Sequence, residues 1–250
     1  MRKSPGGSQP APPEPTSANL SDFASIVPTL GADFGFAHDG DADRLVMVDG
    51  SGGVVPDSVL TILALRALGL AGGDVVISEN TSSAVEEEAE RLGLGVKRSR
   101  VGKTFAVLAT EGGVFAAEPS KVVDPNWGLW EDGINAAALI SNLLSAEKGL
   151  LSKVMQDVRW SYRQTNLKIP VKMDVLAREA KESFGKFRIT EERTLDGLKL
   201  VLGDGSWVMF RPSGTEPITR LYCESENPLV LDTLVQLGTQ CVRSSSDLRE

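Results

Sequence analysis

Three carboxylates at alternating positions, Asp39, Asp41 and Asp43, are separated only by Gly40 and Ala42 and followed by Arg44. They fall between two apolar runs, Phe34-Gly35-Phe36-Ala37 and Leu45-Val46-Met47-Val48. Apolar runs on both sides of a short polar segment predict strand, loop, strand, with both flanks buried. Carboxylates this close repel one another and raise each other's pKa unless positive charge sits among them. A hard divalent cation meets that need: Mg²⁺ takes oxygen ligands and keeps positions open for water or phosphate. The plainer alternative is a solvated Asp/Gly turn, the commoner fate of such residues. The flanks and the motifs farther along favour the metal loop.

Composition narrows the function classes. The 250-residue chain is long enough for one large domain or two ordinary ones, and its 41% hydrophobic and 24% charged residues are ordinary for a globular protein. A net charge of −8 argues against a general nucleic-acid or anionic-membrane binder. A phosphorylated substrate then requires a local basic cluster. Cys223 and Cys241 are too few for a disulfide framework and lack metal-site spacing, so buried thiols in a reducing cytosol are expected. No apolar run approaches a membrane span, and no apolar segment follows Arg2 and Lys3 as in a signal peptide.

In order along the chain, residues 1–17 are rich in Pro, Gly, Ser and Gln and predict a disordered tail. Ser17 or Asn19 is expected to cap a short helix through Ile26 to Leu30, and Val54-Val55 to resume a strand after the turn Asp49 to Gly53. Helices are expected at Val59–Leu70, Ala84–Leu92, Phe105–Thr110 and Gly133–Ala146, the last being the longest. They alternate with strands at Asp74–Ser78, Val96–Val101 and Val114–Ala117. That alternation predicts a mixed or parallel α/β sheet with function at the strand ends. Between about 150 and 165 the pattern changes. A helix Val175–Phe184, strands at Leu198–Leu202, Trp207–Phe210 and Arg220–Cys223, and a helix Leu229–Val242 predict a smaller α+β domain; the tail from Ser244 is expected to fray.

Three further stretches bear on chemistry. Arg211-Pro212-Ser213-Gly214-Thr215-Glu216-Pro217, followed by Arg220, brings a guanidinium fork, two hydroxyls and a glycine that can expose backbone N–H. Such donors on one concave face suit a phosphate better than an ordinary hairpin loop does. Glu118-Pro119-Ser120, at a strand end, pairs an acceptor with a donor that can read adjacent sugar hydroxyls, although a surface turn is the plainer reading. Gly102-Lys103-Thr104 resembles the end of a P-loop, but Lys97 stands where the motif needs glycine. Lys103 is left as a candidate phosphate contact. An EF-hand is excluded at the acidic loop, where Arg44 and Gly50 occupy the positions that need Gly and Glu.

Asp-Gly-Asp-Ala-Asp-Arg, Glu-Pro-Ser and Arg-Pro-Ser-Gly-Thr-Glu-Pro, in this order, together resemble the α-D-phosphohexomutase family of phosphoglucomutase, phosphomannomutase and phosphoglucosamine mutase. Val101-Gly102 and Asp132-Gly133 add to the similarity. The family has four domains. The resemblance implies that residues 18–48 are a remnant of the second with the metal loop. Residues 49–155 would be the third and 160–245 the phosphate-binding fourth. It implies Mg²⁺ on Asp39, Asp41 and Asp43, with Arg44 beside the reacting phosphate. Glu118 and Ser120 would contact sugar hydroxyls, and Arg211, Ser213, Gly214, Thr215 and Arg220 would hold the phosphate that is not transferred. The implied substrate is a hexose phosphate of glucose, mannose or glucosamine type.

Two departures stand out. The family's sugar loop reads Gly-Glu-x-Ser-Gly-His, where this chain has Ala117, Lys121 and Val122 in place of the glycines and the histidine. Family members also phosphorylate a serine in a Ser-His-Asn loop of the first domain, whereas the only histidine here is His38. The chain is therefore expected to be the C-terminal part of a mutase, inactive alone. The alternatives are a non-catalytic module that binds metal and sugar phosphate, or half of a split enzyme whose partner bears the phosphoserine. An isolated fragment would expose apolar edges around Phe34 and Phe36.

Overall fold

The computed structural model describes residues 19–214 and 216–247; the expected tail at 1–17 lies outside them. The chain forms two compact units. Unit 1 runs to Thr81 and includes Val85–Arg98 and Gly102–Val158; unit 2 takes Ser82–Ala84, Ser99–Val101 and the chain from Arg159 onward.

Unit 1 opens with α1 (Ser21–Thr29), followed by β1 (Phe34–His38) and β2 (Leu45–Asp49). The two strands pair antiparallel from Phe34↔Asp49 to His38↔Leu45, so the acidic loop is the tip of a hairpin. The expectation of two buried flanks is met on one side only. Leu45, Val46, Met47 and Val48 are buried, while β1 is half-buried throughout. After the hairpin come α2 (Asp57–Ala67), β3 (Asp74–Ser78), α3 (Ser83–Arg91), β4 (Gly95–Ser99), α4 (Thr104–Glu111), β5 (Phe115–Glu118), β6 (Lys121–Val123), α5 (Gly133–Ala146) and α6 (Leu150–Asp157). The sheet order is β4-β3-β5-β6; β3 and β5 are parallel, and β6 turns back antiparallel on β5. The expected mixed α/β sheet is therefore observed. Val59 to Leu65 of α2 is continuously buried, which a helix apolar on all sides requires.

In unit 2, β7 (Ser161–Leu167), α7 (Met173–Phe184), β8 (Ile189–Arg193), β9 (Leu198–Leu202), β10 (Trp207–Pro212), β11 (Thr219–Ser225) and α8 (Pro228–Asp247) follow one another. The strands form one antiparallel sheet in the order β7-β11-β10-β9-β8. Alternate residues Leu198, Leu200 and Leu202 pack with Val208, Phe210, Leu221 and the apolar faces of α7 and α8. Cys223 and Cys241 are free, buried thiols.

Several local expectations need correction. The longest helix described is α8 at 20 residues rather than α5 at 14. Helix α8 continues through Ser244 to Asp247 instead of fraying, because Ser245 is buried and its hydroxyl donates to Cys241 O at 2.7 Å. The N-cap of α1 is Leu20, not Asn19, and the other candidate, Ser17, lies outside the described residues. Val54 forms a single bridge to Val48 rather than a strand. No helix among the described residues is long and apolar enough to cross a membrane.

Candidate functional site

The acidic loop is built by its neighbours as much as by its own sequence. Its rim is held by Gly133 N–H donating to Ala42 O at 2.9 Å and Leu45 N–H donating to Ser120 O at 2.7 Å. His38 Nδ1 lies 3.2 Å from Arg44 O. A Cβ on Gly133 would come within 2.9 Å of Ala42 O, Arg44 O and His38 Nδ1, so only glycine admits the start of α5 this close. Ala42 has φ +60°, the left-handed conformation disfavoured for a residue with a Cβ.

That frame brings one oxygen from each of Asp39, Asp41 and Asp43 within 4.8 Å of one another. Arg44 donates its backbone N–H to Asp39 Oδ1 (3.2 Å), and its Nε lies 3.5 Å from Asp39 Oδ2. Lys121, flagged in the sequence only as a departure from the family loop, reaches in from β6. Its Nζ is 2.5 Å from Asp43 Oδ2 and 2.6 Å from Glu131 Oε2. Burial alone would raise the Asp43 pKa. The hydrogen bond and charge of Lys121, together with the charge of Arg44, outweigh it and hold the carboxyl below its usual value. For Lys121, burial works against the charged form but the bonds to Asp43 and Glu131 prevail and raise its pKa. The second oxygen of Asp43, Oδ1, is buried without a hydrogen-bond partner.

Glu118 and Ser120 sit at the tight β5–β6 turn, where Glu118 pairs with Lys121 and Ser120 has φ +65°. The Glu118 carboxylate is buried and faces inward. It accepts from Gly102 N–H at 2.7 and 2.8 Å, and from the Thr104 N–H at 3.4 Å and hydroxyl at 3.0 Å. The Thr104 contacts place a negative charge at the positive end of α4, and the Gly102 contacts hold the residue before its N-cap. Ser120 donates its hydroxyl to Asp57 Oδ1 at 2.8 Å. Burial raises the Asp57 pKa, and that hydrogen bond offsets it only in part. Lys103, between Gly102 and Thr104, is exposed. Asp57 carries no signal in the sequence that marks it as part of a site, and Gly133 is marked only by the resemblance of Asp132-Gly133 to the family, not as a support of the acidic loop. Their roles arise from contacts with residues far along the chain.

The arginine loop lies in unit 2, between β10 and β11. Arg211 and Arg220 are direct cross-strand partners, so both side chains leave the same face of the hairpin. Like charges directly opposite are unfavourable unless something negative lies between or beside them. Arg211 Nε donates to Asp196 Oδ2 at 2.7 Å, while Arg220 Nε is buried without a partner. Ser213 N–H donates to Ile218 O at 2.9 Å, and Ser213 Oγ accepts from Glu216 N–H at 3.3 Å. Gly214 is exposed, with nothing within 4 Å of the place a Cβ would take. Thr215 lies outside the described residues.

Three family descriptions match successive parts of the chain. "Phosphoglucomutase/phosphomannomutase, alpha/beta/alpha domain II" covers residues 5–52, domain III of the same family 55–162, and its C-terminal domain 165–236. A protein of Thermococcus kodakarensis named phosphopentomutase is 35% identical over 92% of this chain and 52% of its own length. A probable phosphoglucosamine mutase of Methanothermobacter thermautotrophicus is 38% identical over 86% of this chain and 48% of its own. The crystal structure of a phosphoglucomutase/phosphomannomutase family protein from Burkholderia thailandensis superposes with a TM-score of 0.77 at 21% identity, covering 91% of this chain and 50% of that one. That likeness speaks to fold alone. The chain belongs to the phosphoglucomutase/phosphomannomutase family and spans about half the length of the curated relatives it matches.

Proposed function

We propose that this chain supplies the metal-binding, sugar-contacting and distal phosphate-binding parts of a phosphohexomutase, which moves phosphate between C1 and C6 of a hexose phosphate. The observation that carries this reading is the acidic hairpin tip. Three convergent carboxylates, one with a buried oxygen left without a donor, make a site whose unmet need is a hard cation. Asp39, Asp41 and Asp43 would hold Mg²⁺. When bound, Mg²⁺ would stabilise charge on phosphoryl oxygens.

The protein's own residues supply the rest. Arg44, anchored on Asp39 and with its side chain 40% exposed, can turn its remaining N–H groups to a phosphate. The Arg211–Arg220 pair supports binding of a second phosphate, because an anion would answer both the cross-strand repulsion and the unpartnered Arg220 Nε. The Ser213 hydroxyl, the Gly214 backbone and, on the sequence motif, Thr215 would complete that grip. Lys103 would add a cation to the anionic substrate's surroundings. Ser120 donates a hydrogen bond to Asp57 and keeps acceptor capacity for a sugar hydroxyl. A sugar hydroxyl at Glu118 would have to compete with the four contacts that its carboxylate already makes to Gly102 and Thr104.

These 250 residues contain a single histidine, His38, and no Ser-His-Asn sequence, so turnover would draw on a serine-bearing segment outside them. Calorimetric titration of glucose 6-phosphate, mannose 6-phosphate and glucosamine 6-phosphate in the presence of Mg²⁺ tests the binding roles. Binding of at least one sugar phosphate, weakened about tenfold or more in Arg211→Ala, is expected for the loss of a charge-assisted contact. Equal binding by Arg211→Ala would refute the assignment. A second reading, a module that binds metal and sugar phosphate without turnover, draws on the internal engagement of Glu118. Mixing with a Ser-His-Asn-bearing N-terminal half separates the two, since restored mutase activity excludes the second.

A further inference from the structure

Lys121 stands at the start of β6, and its ammonium group is shared by two carboxylates, Asp43 Oδ2 at 2.5 Å and Glu131 Oε2 at 2.6 Å. The three side chains retain only 21%, 28% and 16% exposure, so solvent and salt screen this group less than they would a surface pair. Asp43 is thereby divided. One oxygen is neutralised by Lys121; the other is buried and unpartnered. With Asp39 and Asp41, Asp43 offers the closely spaced ligand atoms described above.

A fixed ammonium one carboxylate away from a divalent ion opposes it in two ways. It draws electron density from the shared ligand, and it repels the ion directly. It also offsets repulsion among the carboxylates when no ion is bound, so the loop holds its shape without metal. Glu131 gives the ammonium a second anchor, which opposes its swinging away as an ion enters. Resting on the reading of this loop as a metal site, we propose that Lys121 is a built-in counter-cation that weakens divalent-cation binding by Asp39, Asp41 and Asp43. It acts through Asp43 and is a positioning residue.

The test is titration of the whole 250-residue chain with Mn²⁺, free Mn²⁺ being followed by electron paramagnetic resonance at low ionic strength. Lys121→Met should bind Mn²⁺ about tenfold more tightly than the unaltered chain, whereas Lys121→Arg, which keeps the charge, should stay within about twofold. The gap should narrow as salt is raised. Should Lys121→Met not fold, as judged by circular dichroism melting, Lys121→Gln carries the same expectation, because it keeps a hydrogen-bond donor and loses the charge. Asp41→Asn serves as the control for the metal loop. If Mn²⁺ binds and Asp41→Asn weakens it, but the neutral Lys121 variants bind no more tightly, the role of Lys121 is overturned and the metal loop stands. If Mn²⁺ does not bind, or binds equally to Asp41→Asn, the metal loop fails and the role of Lys121 fails with it.

Discussion

Both charged clusters are tips of antiparallel hairpins, β1–β2 and β10–β11, yet they are held in different ways. The acidic tip accepts a backbone hydrogen bond from Gly133 and donates one to Ser120, both distant in sequence, and it takes a cation from Lys121. The arginine tip relies on its own strands, an internal bond from Ser213 N–H to Ile218 O, and the pairing of Arg211 with Asp196. The contrast follows from the charges. Converging carboxylates repel and stay together only if a surrounding frame forces them and a cation compensates. A guanidinium is planar and weakly hydrated, and it finds a carboxylate or an anion without such a frame.

The sharpest way to break this comparison is Gly133→Ala. A methyl group there meets two backbone oxygens and the His38 ring at 2.9 Å, so a stability loss of about 2–3 kcal/mol is expected in urea unfolding, with Mn²⁺ binding lost as well. Glu118→Ala comes next. It strips Gly102 and Thr104 at the start of α4 of their acceptor and should cost about 2 kcal/mol. A near-neutral result would mean that Glu118 is available for sugar after all.

Asp57→Asn sharpens the electrostatic side. The folded chain holds the Asp57 proton more tightly than the unfolded chain does, so this group's contribution to stability falls as pH rises above the ordinary value of 3.8. Asp57→Asn should therefore gain stability over the unaltered chain at neutral pH, and the gain should vanish below the ordinary carboxylate range. Thermal melts across pH would check both limbs. A smaller effect is expected from Ala42→Gly. Relief of the left-handed alanine, less the added freedom of the unfolded chain, should stabilise by under about 1 kcal/mol. Smallest of all, Gly214→Ala should change unfolding by less than about 0.5 kcal/mol, because no atom lies within 4 Å of the new methyl group. A loss at Gly214 comparable to that at Gly133 would erase the contrast between framed and self-supported tips.

Legibility in the sequence followed burial. Strands β3 and β9 read clearly because their apolar residues face a core, and α5 matches its expected bounds, with Asp132 accepting from Asn135 N–H at its N-cap. The strands that escaped notice, β7 and β8, are the two edges of the unit 2 sheet. Their residues, Ser-Tyr-Arg-Gln-Thr-Asn-Leu and Ile-Thr-Glu-Glu-Arg, carry little apolar alternation. An edge strand is held by its backbone on one side and kept polar on the other, so its sequence resembles a loop. Strand β6 escaped notice for another reason: three residues are too few to show a period.

The sequence by itself determined the ingredients. It set the spacing of the three carboxylates, the arginines that bracket the distal loop, the apolar runs that make hairpins of both stretches, and the family to which the motifs point. Those are local properties, written in neighbouring residues. Only the tertiary structure decided what each charge meets. Lys121 answers Asp43 from 78 residues away, Glu118 turns inward to α4, and Gly133 admits a helix start against the acidic loop. A side chain's partner across such a separation is set by how the core packs the elements together, and that information is spread over the whole chain rather than carried by the motif.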